Sequence, residues 1–241
     1  MTFVVRALVV ASLLVSASFS PANSQVQPSP SLTPQNDWAN LAKYRDANGQ
    51  LGPPKPGEDR VVLFGDSITE SWAQFFPTMF PGKPYIGRGI SGQTTPQMLV
   101  RFNQDVVALK PKVVVILAGT NDIAGNTGAS TLEMIEDNFK SMTEVAKANG
   151  IRVVLSSVLP VFDYPWKPGL QPAEKIVALN AWVKDYASRN GATYLDYYSA
   201  MSDARHGLRA DLGSDGVHPN EAGYRIMAPL MERAVATALG R

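Results

Sequence analysis

The chain has 241 residues, with 22 Lys and Arg against 21 Asp and Glu and a formal net charge of +1. Removing residues 1–24, whose only charged side chain is Arg6, leaves 21 basic and 21 acidic residues. This balance gives no reason to expect nucleic acid or an anionic surface as a partner. The absence of cysteine excludes disulfides, thiolate metal sites, a cysteine nucleophile and a lipid-modified N-terminal cysteine.

Residues 1–24 have the pattern of a secretory signal peptide. Arg6 precedes an apolar run over residues 7–19, and a proline and three small residues follow that run. A membrane span needs roughly 20 apolar residues, so we expect cleavage near Gln25 and no stable membrane insertion afterwards. Residues 25–37 are rich in Pro, Ser and Gln, which is the composition of a linker.

Residues 38–241 alternate between strand-like and helix-like segments, which is typical of one α/β domain. Strands are predicted at 61–64, 84–86, 113–117, 153–158 and 193–195. Long helices are predicted at 96–109, 130–149, 173–190 and 220–239, and a short one at 37–44. Helices of this length between strands imply right-handed crossovers and a parallel sheet covered on both faces.

The first predicted strand ends in Gly65-Asp66-Ser67. Ligands bind in open α/β sheets at the carboxyl ends of the strands, so Ser67 lies where a nucleophile is useful. Gly65 would permit a tight turn, and Ser67 would open the next helix with its N–H unpaired. The alternative is that Ser67 only caps that helix with its side chain.

Three more polar stretches fall at the same edge of the predicted sheet. They are residues 87–95, which include Gly92, residues 118–122, which include Asn121, and residues 215–220, which include Asp215 and His218. A glycine-backed amide, a carboxamide, a serine and an Asp/His pair are the groups that an acyl-transfer site requires.

These stretches, in this order, resemble the GDSL or SGNH hydrolase family of serine esterases and lipases. The matching blocks are Gly65-Asp66-Ser67, Gly92, Gly119-Thr120-Asn121-Asp122 and Asp215-Gly216-Val217-His218. The resemblance covers residues 61–223 and departs from the family at Ile68, where the family has leucine, an exchange without chemical consequence. It implies an α/β fold of the flavodoxin-like type, a three-layer α/β/α sandwich with a central parallel sheet of about five strands.

Ser67, His218 and Asp215 are the predicted catalytic residues. A serine hydroxyl is a poor nucleophile at neutral pH, so a base must take its proton. His218 is the candidate, because His206 lies in a polar loop with no partner at a suggestive spacing. Asp215 is three residues before His218 and can hold the imidazole tautomer. The alternative for His218 is a loop residue that caps the last helix.

The resemblance implies an oxyanion hole made by the backbone N–H groups of Ser67 and Gly92 and by the side-chain amide of Asn121. A glycine suits position 92 because a Cβ would obstruct close approach of the substrate. Asp66 and Asp122 are predicted to be structural, accepting hydrogen bonds from local backbone N–H groups.

No cofactor and no metal site is predicted. Residues 87–92 match the G-x-G-x-x-G pattern of dinucleotide sites, but they follow the second strand and no ribose-binding acid ends the third. No His, Asp or Glu cluster has ligand spacing beyond Asp215 and His218.

The loop after the fourth predicted strand, residues 159–169, is long, aromatic and rich in proline. Such loops wall substrate sites, so Phe162, Tyr164 and Trp166 are predicted to flank the acyl or sugar group. The alternative is that these aromatic side chains pack as a lid over the core. The small residues at 124–129 suit a short acyl group, such as acetyl on a polysaccharide.

The sequence therefore predicts a secreted or periplasmic carboxylic ester hydrolase that acts through an acyl-enzyme on small-molecule or polysaccharide esters. A lysophospholipase or acyl thioesterase of the same family is an open alternative. A non-catalytic carbohydrate-binding domain is a third, against which the intact Ser67, Asn121 and His218 argue. Nothing in the sequence predicts an oligomeric state.

Export is testable directly. N-terminal sequencing of the protein recovered from its native host should give a chain that starts near Gln25, because signal peptidase removes the residues before the small-residue site. Recovery of the protein with Met1 retained would contradict this prediction.

Overall fold

The computed structural model describes Thr2 and residues 36–241. The predicted signal peptide, apart from Thr2, and residues 25–35 of the predicted linker lie outside the described residues. Within residues 36–241, five strands form one parallel sheet with the order β2-β1-β3-β4-β5. The strands are Val61–Gly65 (β1), Tyr85–Gly89 (β2), Val113–Leu117 (β3), Arg152–Ser156 (β4) and Thr193–Leu195 (β5).

Helices connect and cover the strands. They are Arg45–Leu51 (α1), Ser67–Trp72 (α2), Phe76–Met79 (α3), Thr95–Asp105 (α4), Thr120–Ala124 (α5), Leu132–Ala148 (α6), Ala173–Arg189 (α7), Tyr198–Met201 (α8) and Glu221–Ala238 (α9). Short 3₁₀ turns follow α2 and α4, at Ala73–Phe75 and Val107–Leu109. In the part of the chain that the structure describes, no helix has the length and apolarity needed to cross a membrane.

The sheet is buried on both faces. Val62 and Phe64 of β1 belong to a core that includes residues of α4, α6 and α7, whereas Val61 and Leu63 belong to a second core with residues of α2, α3, α8 and α9. Side chains alternate between the faces of a strand, so a strand covered on both faces is a continuous apolar run. The three-layer α/β/α fold predicted from the sequence is confirmed.

The glycines of β2 explain the G-x-G-x-x-G match by packing. Gly87 and Gly89 lie within the strand, against α2 and the turn that follows it. A Cβ on Gly89 would lie 2.1 Å from the backbone nitrogen of Glu70 and 2.6 Å from the carbonyl oxygen of Asp66. Only glycine permits so close an approach of strand and helix.

The prediction of a helix at residues 37–44 is wrong. The structure has turns over residues 38–44, and the helix is α1, which begins after them. Asn40 has φ +53°, which no right-handed helix accommodates. The Asp37 carboxylate instead accepts hydrogen bonds from two N–H groups of the turns, at 2.7 and 2.9 Å, and holds that conformation.

The strand order creates the crevice in which the site lies. β1 and β3 are neighbours, but β1 leads to a strand on one side of the pair and β3 leads to a strand on the other. The loops that leave them therefore diverge, and ligands bind at such a switch point. Ser67 follows β1 and Asn121 follows β3, so the topology brings both to this position.

Candidate functional site

Ser67 is the first residue of α2, and the preceding residue caps the helix. The side chain of Asp66 accepts a hydrogen bond from the N–H of Ile68 at 3.0 Å, so the alternative in which Ser67 is the cap is not what the structure has. The Ser67 N–H has no hydrogen-bond partner among residues 36–241. Both its hydroxyl and its N–H are thus available at the crevice.

Ser67, His218 and Asp215 form one continuous hydrogen-bonded chain. Ser67 Oγ lies 2.9 Å from His218 Nε2, and His218 Nδ1 lies 2.6 Å from Asp215 Oδ2. The other carboxylate oxygen of Asp215 accepts the backbone N–H groups of Val217 at 2.9 Å and of His218 at 2.7 Å. These bonds fix the carboxylate on the turn that also carries the imidazole.

The environment of Asp215 keeps it ionised. Partial burial by itself raises the pKa of the carboxyl, but the N–H groups of His218 and Val217 and the imidazole outweigh burial and leave the pKa below its usual value. An ionised Asp215 accepts the Nδ1–H of His218 and leaves Nε2 free to face the Ser67 hydroxyl.

The backbone at Gly92 gives a conformational reason for glycine, in addition to the predicted one of close approach by the substrate. No described atom lies within 4 Å of where a Cβ would stand, so crowding by the protein does not exclude a side chain there. Gly92 instead has φ +76°, a conformation that L side chains rarely adopt. Its N–H, like that of Ser67, has no partner among the described residues.

Asn121 is buried beside this loop, with its side chain held on both ends. Its Nδ2 donates to the carbonyl oxygen of Gln93 at 3.0 Å and lies 3.4 Å from Asp66 Oδ2. Its Oδ1 accepts from Asn126 Nδ2 at 2.7 Å. A cleft of about 240 Å³ connects these groups and is lined by Ser67, Ser91, Gly92, Asn121, Asn126, Trp166 and His218.

Asp66 and Asp122 have different structural roles. Asp66 bonds the local backbone as predicted, and burial raises its pKa to about 7. Asp122 interacts with its own backbone N–H, as predicted, and also bonds a distant element of the chain. It accepts the N–H of Thr95 at 3.0 Å and its hydroxyl at 2.6 Å, and so anchors the N-terminus of α4 to α5.

The three aromatic side chains of the loop after β4 lie in three different environments. Trp166 lines the cleft, with its ring centroid 6.2 Å from that of His218. Tyr164 is fully buried and its hydroxyl donates to the carbonyl oxygen of Thr120 at 2.9 Å, so the lid alternative holds for this residue. Phe162 is exposed but faces the guanidinium of Arg205 and does not line the cleft.

His206 takes no part in the cleft. His206 lies on an exposed loop, where its backbone has φ +62°. Its Nδ1 lies 2.9 Å from the hydroxyl of Tyr198. Among the described residues, no group of three or more His, Cys, Asp or Glu side chains is placed to hold a metal ion.

Sequence reasoning missed Gln93, Arg101 and Asn126. Arg101 is completely buried, and its guanidinium donates to the carbonyl oxygen of Gly65 at 2.8 Å and to the Gln93 side chain. The sequence did contain a signal for Arg101, because helical spacing places it on the same face of α4 as Met98 and Phe102, a face that is buried. An ionic side chain within such an apolar stripe must be paired inside the protein.

The flavodoxin-like fold, with its polar cleft at the switch point, defines an SGNH-type α/β domain. The sequence matches the GDSL-like Lipase/Acylhydrolase family over residues 63–226. The chain therefore belongs to the GDSL-like lipase/acylhydrolase family. It is also similar to the crystal structure of a GDSL-like lipase from Bacteroides thetaiotaomicron VPI-5482, with 44% identity and a TM-score of 0.80; the similarity covers 83% of this chain and 98% of that one.

Two proteins of other bacteria are more distantly similar. An acetylxylan esterase from Geobacillus stearothermophilus is 25% identical over 201 residues, which cover 79% of this chain and 90% of that protein. An uncharacterized lipoprotein from Bacillus subtilis (strain 168) is 30% identical over 124 residues, or 44% of this chain. The aligned part spans 51% of that lipoprotein, about half its length.

The raised pKa of Asp66 predicts a pH-dependent stability. Folding retains a proton on this carboxyl between its usual pKa of 3.8 and about 7, so the stability it contributes is present below pH 3.8 and is lost as the pH rises toward 7. The loss is about 1.4 kcal/mol for each unit of raised pKa. Asp66→Asn keeps a capping side chain and removes the titration.

Urea unfolding at pH 5 and pH 8 measures this effect. The stability of Asp66→Asn relative to the wild type should increase from pH 5 to pH 8. The same exchange at exposed Asp46 of α1 is the matched control and should leave the pH dependence unchanged. Parallel curves for the wild type and Asp66→Asn would contradict the prediction.

Proposed function

We propose that the protein is a serine ester hydrolase that cleaves carboxylic esters through an acyl-enzyme. The observation that carries the proposal is the hydrogen-bonded chain of Ser67, His218 and Asp215. This chain ends at a cleft where the N–H groups of Ser67 and Gly92 have no partner within residues 36–241. Acyl transfer needs a nucleophile next to a base, here 2.9 Å apart, and a carboxylate that orients the base, here 2.6 Å from its other ring nitrogen.

In the first step Ser67 Oγ attacks the ester carbonyl carbon while His218 Nε2 takes the hydroxyl proton. Asp215 holds the Nδ1–H and stabilises the imidazolium that forms. The tetrahedral intermediate expels the alcohol, which receives the proton from Nε2. Water, deprotonated by the same nitrogen, then attacks the acyl-enzyme and releases the carboxylic acid and the free Ser67 hydroxyl.

Negative charge on the carbonyl oxygen is stabilised by donors that already lie at the cleft. We assign this role to the N–H groups of Ser67 and Gly92, which have no partners among the described residues, and to Asn121 Nδ2. Nδ2 donates one hydrogen to the Gln93 carbonyl at 3.0 Å and the other to Asp66 Oδ2 at a long 3.4 Å. The oxyanion would replace Asp66 as the acceptor of this weaker hydrogen bond. Each such donor is worth about 100 to 1000-fold in kcat.

The proposed substrates are short-chain acyl esters, acetyl above all, on carbohydrates. The cleft holds only about 240 Å³ and several of its lining groups are polar, which suits an acetyl group better than a long acyl chain. Trp166 presents a half-exposed ring beside His218, a surface on which a sugar ring stacks. The similarity to an acetylxylan esterase supports the same substrate class.

We also propose that the protein is exported and acts on extracellular or periplasmic substrates. The support is the charged and apolar pattern of residues 1–24, which lie outside the described residues apart from Thr2.

Hydrolysis of p-nitrophenyl acetate, butyrate and octanoate tests the activity and the chain length together. We expect kcat/KM to fall as the acyl chain lengthens, and Ser67→Ala to lose at least about 1000-fold in kcat because the nucleophile is removed. Ser141→Ala, on the surface of α6, is the matched control and should retain full activity. Hydrolysis that survives in Ser67→Ala would refute the serine mechanism, and a rise toward octanoate would favour the lysophospholipase alternative.

Trp166 is tested with acetylated xylo-oligosaccharides. Trp166→Ala should raise KM for these substrates by about 5-fold, the effect of losing an aromatic contact worth about 1 kcal/mol, while kcat for p-nitrophenyl acetate changes little. Trp38→Ala is the control. Trp38 is 55% exposed, compared with 45% for Trp166, and it does not line the cleft. An unchanged KM in Trp166→Ala would place sugar binding elsewhere.

A further inference from the structure

We propose that Asn126 is a positioning residue that fixes the side-chain orientation of Asn121. The inference rests on the proposed function, in which Asn121 Nδ2 donates to the oxyanion. It deepens that function, because it explains how a side chain with two nearly equivalent orientations presents its donor end to the cleft.

The carboxamide of Asn121 has a donor end and an acceptor end of almost the same size. Only the donor end stabilises an oxyanion, since the acceptor end would repel it. The two contacts that select the orientation are opposite in kind. Gln93 offers a carbonyl oxygen at 3.0 Å to Nδ2, and Asn126 offers an Nδ2 donor at 2.7 Å to Oδ1.

Rotating the Asn121 amide by half a turn would reverse both contacts. Oδ1 would then face the carbonyl oxygen of Gln93, and Nδ2 would face the Nδ2 of Asn126. Two hydrogen bonds would be lost and two like-polarity contacts formed, in a site where Asn121 is buried from water. Asn126 presents its donor end because its Nδ2 also faces the carbonyl oxygen of Gly92, at 3.5 Å. Gln93 and Asn126 together therefore hold the donor end of Asn121 toward the cleft.

The turn that follows α5 places Asn126 beside Asn121. The short helix α5 ends at Gly125, which has φ +70°, and the N–H of Asn126 donates to the backbone carbonyl of Asn121 at 3.0 Å. The next residue, Thr127, bonds the hydroxyl of Thr94 at 2.9 Å. The turn after α5 is thus tied both to the residue it orients and to the loop that carries Gly92.

Asn126 differs from the other groups near Asn121 in being exposed, so its exchange does not disturb the core. In this proposal Asn126 does not contact the reacting atoms. Its shortest side-chain hydrogen bond, at 2.7 Å, is to Asn121, whereas its contact with the Gly92 carbonyl is longer, at 3.5 Å. Its effect should therefore pass mainly through Asn121, which separates it from a substrate-binding residue or from a residue that only supports the fold.

The test is a double-mutant cycle on p-nitrophenyl acetate, with kcat and KM measured separately. Asn126→Ala removes the donor and should lower kcat by about 10-fold, less than the about 100 to 1000-fold expected for Asn121→Ala. Asn126→Asp replaces the donor by an acceptor that favours the reversed amide, and should lower kcat by about 100-fold with little change in KM. In the Asn121→Ala background both exchanges should have almost no further effect.

Asn103→Asp, an exposed position on α4, is the matched control for the added charge and should behave as the wild type. A loss in Asn126→Asp that persists in the Asn121→Ala background would mean direct electrostatic repulsion and overturn the positioning role. Full activity of Asn126→Asp beside an active wild type and an inactive Ser67→Ala would overturn it while the proposed function stands. A wild type inactive on all esters would overturn both.

Discussion

The buried guanidinium of Arg101 is the interaction on which the geometry of the cleft depends. It donates to the carbonyl oxygens of Gly65 at 2.8 Å and of Arg88 at 3.0 Å, at the carboxyl ends of β1 and β2, and it also bonds the Gln93 side chain. One rigid group therefore joins the residue two before Ser67 to the loop of Gly92. Its plane lies over the ring of Phe64, 4.1 Å from the centroid.

A charge so deeply buried is tolerated because each of the three guanidinium nitrogens of Arg101 donates a hydrogen bond. Desolvation lowers the pKa of Arg101, and the neighbouring carboxylate of Asp105, 3.1 Å away, opposes that shift. Such a pair adds little net stability compared with a well-packed apolar cluster, but the loss of one partner would leave an uncompensated charge. What the arrangement supplies is a fixed relative position of two strand ends, which a reactive site requires before its substrate arrives.

From this fixed point the rest of the cleft is connected by hydrogen bonds of the backbone and of short side chains. The Gln93 carbonyl holds Asn121, Asp122 holds the start of α4, and the buried Tyr164 hydroxyl holds Thr120. The segment that carries Trp166 is in turn bound to α5 through Lys167, whose Nζ donates to the carbonyl of Ala124 at 2.7 Å. The groups assigned to the reaction thus belong to one connected network, and little reorganisation is needed when charge develops.

The sequence alone determined the alternation of strands and helices, the carboxyl-end position of Ser67 and the pairing of Asp215 with His218, because these depend on local periodicity and on residues three positions apart. The tertiary structure decided what lies far apart in sequence. It buried Tyr164 and left Trp166 in the cleft, and it brought the carbonyl of Gly65 to Arg101 and the carbonyl of Gln93 to Asn121. Burial and amide orientation depend on which distant groups meet, and no local pattern encodes that.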